Sequence, residues 1–147
     1  MSSDDLLPFA TTLRVRDGCL CLHVQRAARA LARRYDDAFR PLGITSGQFS
    51  LLMSLNRPDA PRIGSVANLL AMDRTTLTAN LKPLERRGLV EVIPDERDRR
   101  SRRLVLTDAG REVLAIATPI WTATHASVEA ELGVDPAVLR QGLRAIA

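Results

Sequence analysis

The sequence predicts a mainly α-helical protein with a small two- or three-stranded β-wing. Three observations support this fold class: apolar residues recur at helical spacing over most of the chain, capping residues precede the later helices, and two short β-rich runs flank one charged segment. At 147 residues the chain is most simply one domain, large enough to bury a core without a disulfide or a metal.

The first predicted helix has the most regular pattern. From Leu20 to Phe39, apolar or small residues recur every three or four positions with arginines between them, and the helix ends before Gly43. Thr45 and Gln48 then have the spacing of a capping box, which predicts the start of a short second helix. The proline-containing segment 56–61 ends that helix.

Two further helices follow this break. The segment 65–72 has helical spacing but a poorly capped start. Asp73 is a good N-cap for a helix over 74–87, and Gly88 is a plausible C-terminal stop. The order of these helices is that of a helix-turn-helix.

A β-ribbon and two final helices complete the chain. The runs 89–93 and 103–106 are β-rich and predict a two-stranded ribbon. A long helix starts near Thr107 and Asp108 and carries so little charge that a subunit interface is indicated. Asp135 and the proline after it start the last helix.

Basic charge is confined to one segment. Residues 74–103 hold nine basic and five acidic side chains, an excess of four that equals the net charge of the whole chain. A local excess of this kind points to a surface that faces a polyanion.

The helix over 74–87 has a polar, basic side opposite its leucines. Its outward positions are Thr75, Thr78, Ala79, Lys82 and Arg86. Short hydroxyl and methyl groups let a helix lie deep in the major groove, and the basic residues can reach phosphates. The alternative is an ordinary solvated face.

The tip of the predicted ribbon is rich in arginine. It contains Arg97, Arg99, Arg100, Arg102 and Arg103, which suit a narrow minor groove. The alternative is a solvated loop in which the nearby acids neutralise these arginines, or in which an acid such as Asp98 orients one of them.

The segment "VANLLAMDRTTLTANLKPLERRGLVEVIPDERDRRSRRLVLTDAGREVL", residues 66–114, closely resembles the MarR family of winged-helix transcription regulators. The resemblance extends in outline from Cys21 to Leu132 and implies a homodimer that binds a pseudo-palindromic operator on double-stranded DNA. It further implies a ligand-responsive repressor, released by a small effector. The implied DNA-binding residues are Arg74, Thr75, Thr76, Thr78, Asn80, Lys82, Asp98, Arg100 and Arg102, with Asp98 and Arg100 as a pair in the wing.

The resemblance also divides the chain into regions. Residues 1–44 form an N-terminal arm and first dimerisation helix, 45–110 form the DNA-binding lobe, and 111–147 form the C-terminal dimerisation helices. One departure from a regular recognition helix is Pro83, which removes a backbone hydrogen bond at a typical cost of about 3 kcal/mol and predicts a local bend. Pro119 raises the same question in the long helix.

The same resemblance implies two ways in which DNA binding is regulated. A small, often aromatic effector is expected near Tyr35, Phe39 and Phe49, with plain core packing as the alternative. The stretch "LCLHVQRAARALARRYDDAFRPLGIT" aligns with the first helix of the hydroperoxide-sensing branch and places Cys21 at the reactive cysteine and Tyr35 at one of its tyrosine partners. Gln25 and Ser46 occupy the other two tyrosine positions, and a cysteine acting as a small apolar residue is the alternative.

Other classes of protein find little support. The two histidines lie far apart, there is no glycine-rich phosphate loop, and Cys19 and Cys21 point to different sides of a helix, so we expect neither an enzyme, a cofactor, a metal site nor a disulfide. The absence of a long apolar run predicts a cytoplasmic protein without a membrane partner. A winged-helix module that binds protein remains an alternative to a DNA-binding regulator.

Overall fold

The structure is a computed structural model that describes residues 6–147. It confirms the mainly helical fold with one two-stranded antiparallel sheet. The elements are α1 (Phe9–Gly18), α2 (Leu20–Phe39), a short 3-10 helix (Arg40–Leu42), α3 (Ser46–Ser54), α4 (Ile63–Leu69), α5 (Arg74–Arg86), β1 (Val90–Pro94), β2 (Arg102–Leu106), α6 (Asp108–Glu131) and α7 (Pro136–Arg144).

The chain separates into two compact units, Met1–Arg34 and Tyr35–Ala147. In the first unit, α1 is a helix that the sequence pattern did not predict, because none of its residues is buried and it has no side-chain N-cap. The turn between α1 and α2 lies at Cys19, whose backbone is extended. Of the helices over residues 6–147, none is long and apolar enough to span a membrane.

The second unit has one hydrophobic core. The end of α2, the helices α3 to α5, both strands and the start of α6 contribute to it. Its buried residues are Phe39, Ile44, Phe49, Leu51, Leu52, Leu55, Val66, Ala67, Leu77, Leu81, Leu84, Leu89, Val90, Leu104, Leu106, Leu114 and Ala117. The recognition-helix candidate α5 and the ribbon are therefore packed on one shared core.

Capping residues fix the helix starts where the sequence predicts them. Thr45 forms both hydrogen bonds of a capping box with Gln48, and the side chain of Asp73 accepts a hydrogen bond from the amide of Thr76. Thr107 caps α6. The helix α4 has no side-chain cap, as expected, and starts two residues earlier than predicted.

The ribbon pairs Val90 with Leu106 at its base and Pro94 with Arg102 at its tip. A third segment reaches the ribbon through an isolated bridge between Arg62 and Arg103. The prediction of two or three strands is thus resolved as two strands and one bridge. At the junction with α5, Gly88 has a φ of 71°, which a residue with a side chain rarely adopts.

Both helices that contain a proline continue through it. The amide of Arg87 donates to the carbonyl of Pro83 at 3.2 Å, so the turn after the proline forms. Ala79, whose carbonyl loses its amide partner, is exposed and can be solvated by water. α6 likewise runs through Pro119 to Glu131.

Candidate nucleic-acid interface

The helix α5 has one buried and one exposed face. Leu77, Leu81 and Leu84 are at most 2% exposed and pack into the core. Thr75, Thr78, Ala79, Lys82 and Arg86 are exposed, as the sequence predicts. The outward face is therefore short, polar and basic.

The first turn of α5 is ordered by local contacts. Asp73 accepts the amide of Thr76 at 2.7 Å and its hydroxyl at 3.1 Å. These hydrogen bonds, that of the backbone amide first, lower the pKa of Asp73 below its ordinary value. The hydroxyl proton of Thr76, a residue predicted to contact DNA, is used within the cap.

Two other predicted DNA-binding residues also have partners in the protein. The guanidinium of Arg74 lies over Gly64, where a Cβ would be 2.9 Å from Nη2 of the arginine. The side-chain amide of Asn80 donates to Sδ of Met72 at 3.7 Å. Both residues remain exposed.

Asp98 orders the wing tip through the backbone. Its carboxylate accepts the amide of Arg100 at 3.0 Å and its carbonyl accepts the amide of Ser101 at 2.9 Å. The contact between the predicted wing pair, Asp98 and Arg100, is therefore made by the carboxylate of Asp98 and the backbone amide of Arg100. A carboxylate two residues before an amide closes a local turn, and this geometry leaves the guanidinium free to point elsewhere.

Within the wing, Asp95 is the acid that pairs with arginines. Its side chain is 1% exposed; Oδ1 lies 3.2 Å from Nε of Arg103, and Oδ2 lies 2.8 Å from Nε of Arg62. The amide of Arg97 donates to Oδ1 at 3.2 Å. This amide first, and Arg103 after it, lower the pKa of Asp95 against the opposing effect of burial.

Four arginines of the wing tip remain available to an external partner. Arg97, Arg99, Arg100 and Arg102 are exposed, and among residues 6–147 no carboxylate forms an ion pair with them. Arg102 donates weakly to two neighbouring carbonyls, at 3.3 and 3.4 Å. Of the five tip arginines, internal neutralisation therefore accounts for Arg103 alone.

A polar cavity of about 610 Å³ lies between the start of α5 and the wing tip. Arg74 contributes to it from α5, and Asp98 and Arg100 contribute from the tip. The remaining walls are formed by Arg62, residues of α4, Met72, Asp73 and Ser101. The two elements predicted to contact DNA consequently border the same opening.

A second, apolar cavity of about 540 Å³ lies among α3, α4 and α6. It is lined by Phe49, Ser50, Met53, Ser54, Leu69, Leu70, Thr118 and Trp121. Of the three aromatic residues predicted at an effector site, Phe49 lines this cavity. Phe39 is fully buried behind it with its ring stacked on Phe49 at 4.8 Å, and Tyr35 lies 6.2 Å from Phe39.

The cysteines are both free thiols. Cys21 is exposed, and the side-chain amide of Gln25 donates to its sulfur at 3.4 Å. Cys19 is partly buried, and its sulfur accepts the amide of Leu22 at 3.5 Å. No group of three or more potential metal-ligating side chains occurs within the part of the chain that the structure describes.

These features together define a winged helix-turn-helix of the DNA-binding class. A capped helix presents a threonine-bearing basic face, a glycine ends its last turn, and an arginine-tipped ribbon follows on the same core. Comparison with known proteins leads to the same class. The model of the MarR family matches residues 44–101.

Individual relatives extend the match over most of the chain. The transcriptional activatory protein BadR of Rhodopseudomonas palustris is 32% identical over 120 residues, which are 79% of this chain and 69% of BadR. The M. tuberculosis regulator MosR in complex with DNA is 38% identical, with a TM-score of 0.78 over 86% of this chain and 92% of MosR. The repressor CouR of Rhodococcus jostii RHA1, bound to a 23-mer duplex, is 29% identical, with a TM-score of 0.72 over 90% of this chain and 92% of CouR.

The chain belongs to the MarR family. It is a DNA-binding transcriptional regulator and not an enzyme.

Proposed function

We propose that this regulator is a homodimeric repressor that binds a pseudo-palindromic operator and is released by a small apolar effector. The observation that carries this proposal is the shared opening between α5 and the wing tip, which presents both elements on one side of the lobe. A helix and a hairpin that project together can occupy a major groove and the adjacent minor groove.

Distinct tasks follow for the two elements. The exposed threonines of α5, Thr75 and Thr78, are short enough to contact base edges and thymine methyl groups, whereas Lys82 reaches phosphates. Arg100 and Arg102 of the wing tip contact the DNA backbone and enter the minor groove. Arg74, Thr76, Asn80 and Asp98 complete the proposed interface, with Thr76 and Asp98 mainly ordering the backbone around it.

The proposal of a homodimer rests on apolar surface outside the DNA-binding lobe. α6 buries only Gly110, Leu114 and Ala117 within its own chain and leaves Ile116 exposed. The amphipathic helix α7 buries none of its residues, and Leu143 is among its exposed apolar side chains. Such surface is covered by a partner in most soluble proteins, and a second copy gives the two-fold symmetry that a palindromic site requires.

We accordingly propose that residues 1–44 and 111–147 serve dimerisation and that 45–110 bind DNA. We further propose that the regulator acts in the cytoplasm, together with the DNA that it binds. Sedimentation equilibrium should give twice the mass of the chain. A monomer that still protects two half-sites would contradict this part of the proposal.

Footprinting tests the operator directly. Purified protein on the DNA upstream of its own gene should protect two inverted half-sites about one helical turn apart. Binding should weaken steeply as salt rises, because several phosphates are neutralised. A salt-independent interaction, or no protection of any duplex, would favour the alternative of a protein-interaction module.

A reporter gene placed behind the protected site distinguishes repression from activation. Deletion of the regulator should raise expression from that promoter. A fall in expression would indicate an activator, which is what the name of the relative BadR describes.

The apolar cavity is the proposed effector site. None of its lining residues carries a charge, and the hydroxyls of Ser54 and Thr118 already donate to backbone carbonyls at 2.6 and 2.7 Å. These hydroxyl oxygens can therefore accept a hydrogen bond but have no proton left to donate. Because no basic side chain lines the cavity, a neutral, largely apolar molecule such as a phenol fits it better than a carboxylate, whose charge would have no counter-ion there.

Trp121 reports on this cavity, since it is the only tryptophan of the chain and lines the site. Titration with a neutral phenol should change its fluorescence and release the operator, whereas the matching benzoate should do neither at the same concentration. Leu69→Phe fills the mouth of the cavity from an exposed position and should abolish the response without unfolding the protein. An unchanged response in Leu69→Phe would place the effector elsewhere.

A thiol switch at Cys21 is a second candidate. The residue is exposed, so an oxidant can reach its sulfur, which accepts a hydrogen bond from the side-chain amide of Gln25 at 3.4 Å. The test compares operator binding of wild type and Cys21→Ser after treatment with an organic hydroperoxide. Loss of binding in the wild type alone supports the switch, and an equal response in both proteins excludes it.

A further inference from the structure

Asp95 is the one charged residue that is buried in residues 6–147. A buried carboxylate is costly unless it is paired and hydrogen-bonded. Here Oδ1 accepts hydrogen bonds from the amide of Arg97 and from Arg103, whereas Oδ2 has only the ion pair with Arg62, which comes from a distant part of the chain. Ordering these side chains and removing the carboxylate from water cost free energy. We therefore look for a role of Asp95 that a surface carboxylate could not fill.

The contacts of Asp95 join the wing to the base of the helix-turn-helix. Arg103 lies on β2 and donates through Nη1 to the carbonyl of Ala60 at 2.6 Å. The amide of Leu104 donates to the carbonyl of Pro61 at 2.9 Å. Arg62, the other ion-pair partner, directly precedes α4. One carboxylate thus links the tip of the ribbon to the segment from which α4 and then α5 start.

The same contacts sort the arginines of this region into two groups. Arg62 and Arg103 are paired with Asp95, whereas the four exposed arginines of the tip are not. Arg62 also lines the polar cavity, together with Arg100 of the wing tip and Arg74 of α5. The width of this opening therefore depends on where the pair between Asp95 and Arg62 holds the ribbon.

We propose that Asp95 is a positioning residue for DNA binding. It fixes the angle and spacing between the wing tip and α5, so that both meet their grooves without a further rearrangement. This inference rests on the proposed placement of α5 and the wing in adjacent grooves. The role differs from that of a charge facing DNA, because Asp95 is buried and acts through the segment before α4.

Two isosteric substitutions distinguish a positioning role of Asp95 from the effect of its negative charge on DNA binding. Asp95→Asn and Glu96→Gln each remove one negative charge from neighbouring positions of the wing, but Glu96 is exposed and has no recorded partner in the described chain. If only the charge of the side chain mattered, both variants would bind DNA more tightly than the wild type, by up to about fivefold for an exposed site. If Asp95 positions the wing, Asp95→Asn instead weakens operator binding about tenfold or more, as expected for the loss of one strong charge-assisted contact.

The experiment measures operator affinity and hydroxyl-radical footprints of the full-length protein at one salt concentration, with thermal unfolding as the check on folding. We expect Asp95→Asn to weaken binding and to lose protection at the outer, minor-groove flanks while the central major-groove protection persists. Glu96→Gln should bind at least as tightly as the wild type and keep the full footprint. A merely structural role of Asp95 would lower thermal stability but leave the shape of the footprint unchanged.

A second variant covers the case in which Asp95→Asn does not fold. Arg62 is 45% exposed, and in Arg62→Gln the carboxylate of Asp95 keeps Arg103 as a cationic partner, so this variant opens one ion pair and leaves the other in place. It should also lose the outer protection, whereas Arg57→Gln, an exposed arginine in the preceding loop, should not. Tighter binding by both Asp95→Asn and Glu96→Gln, or a full footprint in Arg62→Gln, would overturn the positioning role alone. Failure of the wild type to bind any duplex would overturn the proposed interface as well.

Discussion

Replacing Gly110 by alanine should push the start of α6 away from the segment between α5 and β1, on which it packs. Gly110 is the third residue of α6 and is buried. A Cβ at this position would lie 2.3 Å from the carbonyl oxygen of Leu89 and 2.6 Å from Cδ1 of Leu106. The leucine side chain can rotate, but the carbonyl is backbone and also accepts the amide of Thr107 at 3.2 Å.

The magnitude follows from this geometry. An ordinary contact between a methyl carbon and an oxygen needs roughly 1 Å more than the structure provides, so α6 must move away from the junction between α5 and β1. Overpacking of a rigid core costs about 1–3 kcal/mol, and a clash with backbone belongs at the upper end, near 3 kcal/mol. For a chain of this size the melting temperature should fall by about 10 °C.

The assay is urea and thermal unfolding of Gly110→Ala beside a matched control. Gly47 lies in the first turn of α3 and is exposed, and a Cβ added there would be 4.0 Å from Oγ1 of Thr45. Gly47→Ala should leave stability unchanged or raise it by up to about 1 kcal/mol, because alanine restricts the unfolded chain. Stability of Gly110→Ala within about 1 kcal/mol of the wild type would refute the close approach of α6 to Leu89.

Two further predictions concern α5. Leu81→Ala should lower the free energy of unfolding by about 3 kcal/mol in a urea titration, because removing a side chain that is 2% exposed leaves a cavity in the core. Lys82→Ala, on the exposed face, should instead weaken DNA binding with little change in stability. Asp73→Ala should destabilise the protein at neutral pH by removing the cap of α5. Since the folded-state pKa of Asp73 lies below its ordinary value of 3.8, this deficit should persist above that pH and disappear on acidification through the folded-state pKa, as unfolding across a pH series would show. A deficit that grows on acidification would contradict the cap.

Features set by local chemistry could be predicted from the sequence. Thr45, Asp73 and Thr107 cap helices because a short side chain with an oxygen acceptor satisfies amides only a few residues away. The two faces of α5 follow from helical periodicity, and the turn at Gly88 follows from the freedom of glycine at positive φ. These signals are contained in short windows of sequence.

Features set by distant contacts could not be predicted in this way. Asp95 pairs with Arg62, more than thirty residues earlier, and no periodicity links the two positions. The apolar cavity combines Met53 with Trp121 from helices far apart in the chain, and of the three aromatic residues predicted for an effector site only Phe49 lines it. α1 has neither a side-chain cap nor a buried face and therefore left no pattern to recognise.

The most direct test of the central claim is the ratio of affinities for operator and random duplex, measured for Thr78→Ala and Arg100→Ala. Thr78 belongs to the exposed face of α5, and Arg100 belongs to the exposed wing tip. We predict that Thr78→Ala lowers the ratio by weakening operator binding alone, and that Arg100→Ala weakens binding to both duplexes and leaves the ratio nearly unchanged. Identical behaviour of the two variants on both duplexes would contradict the assignment of base recognition to α5 and backbone binding to the wing.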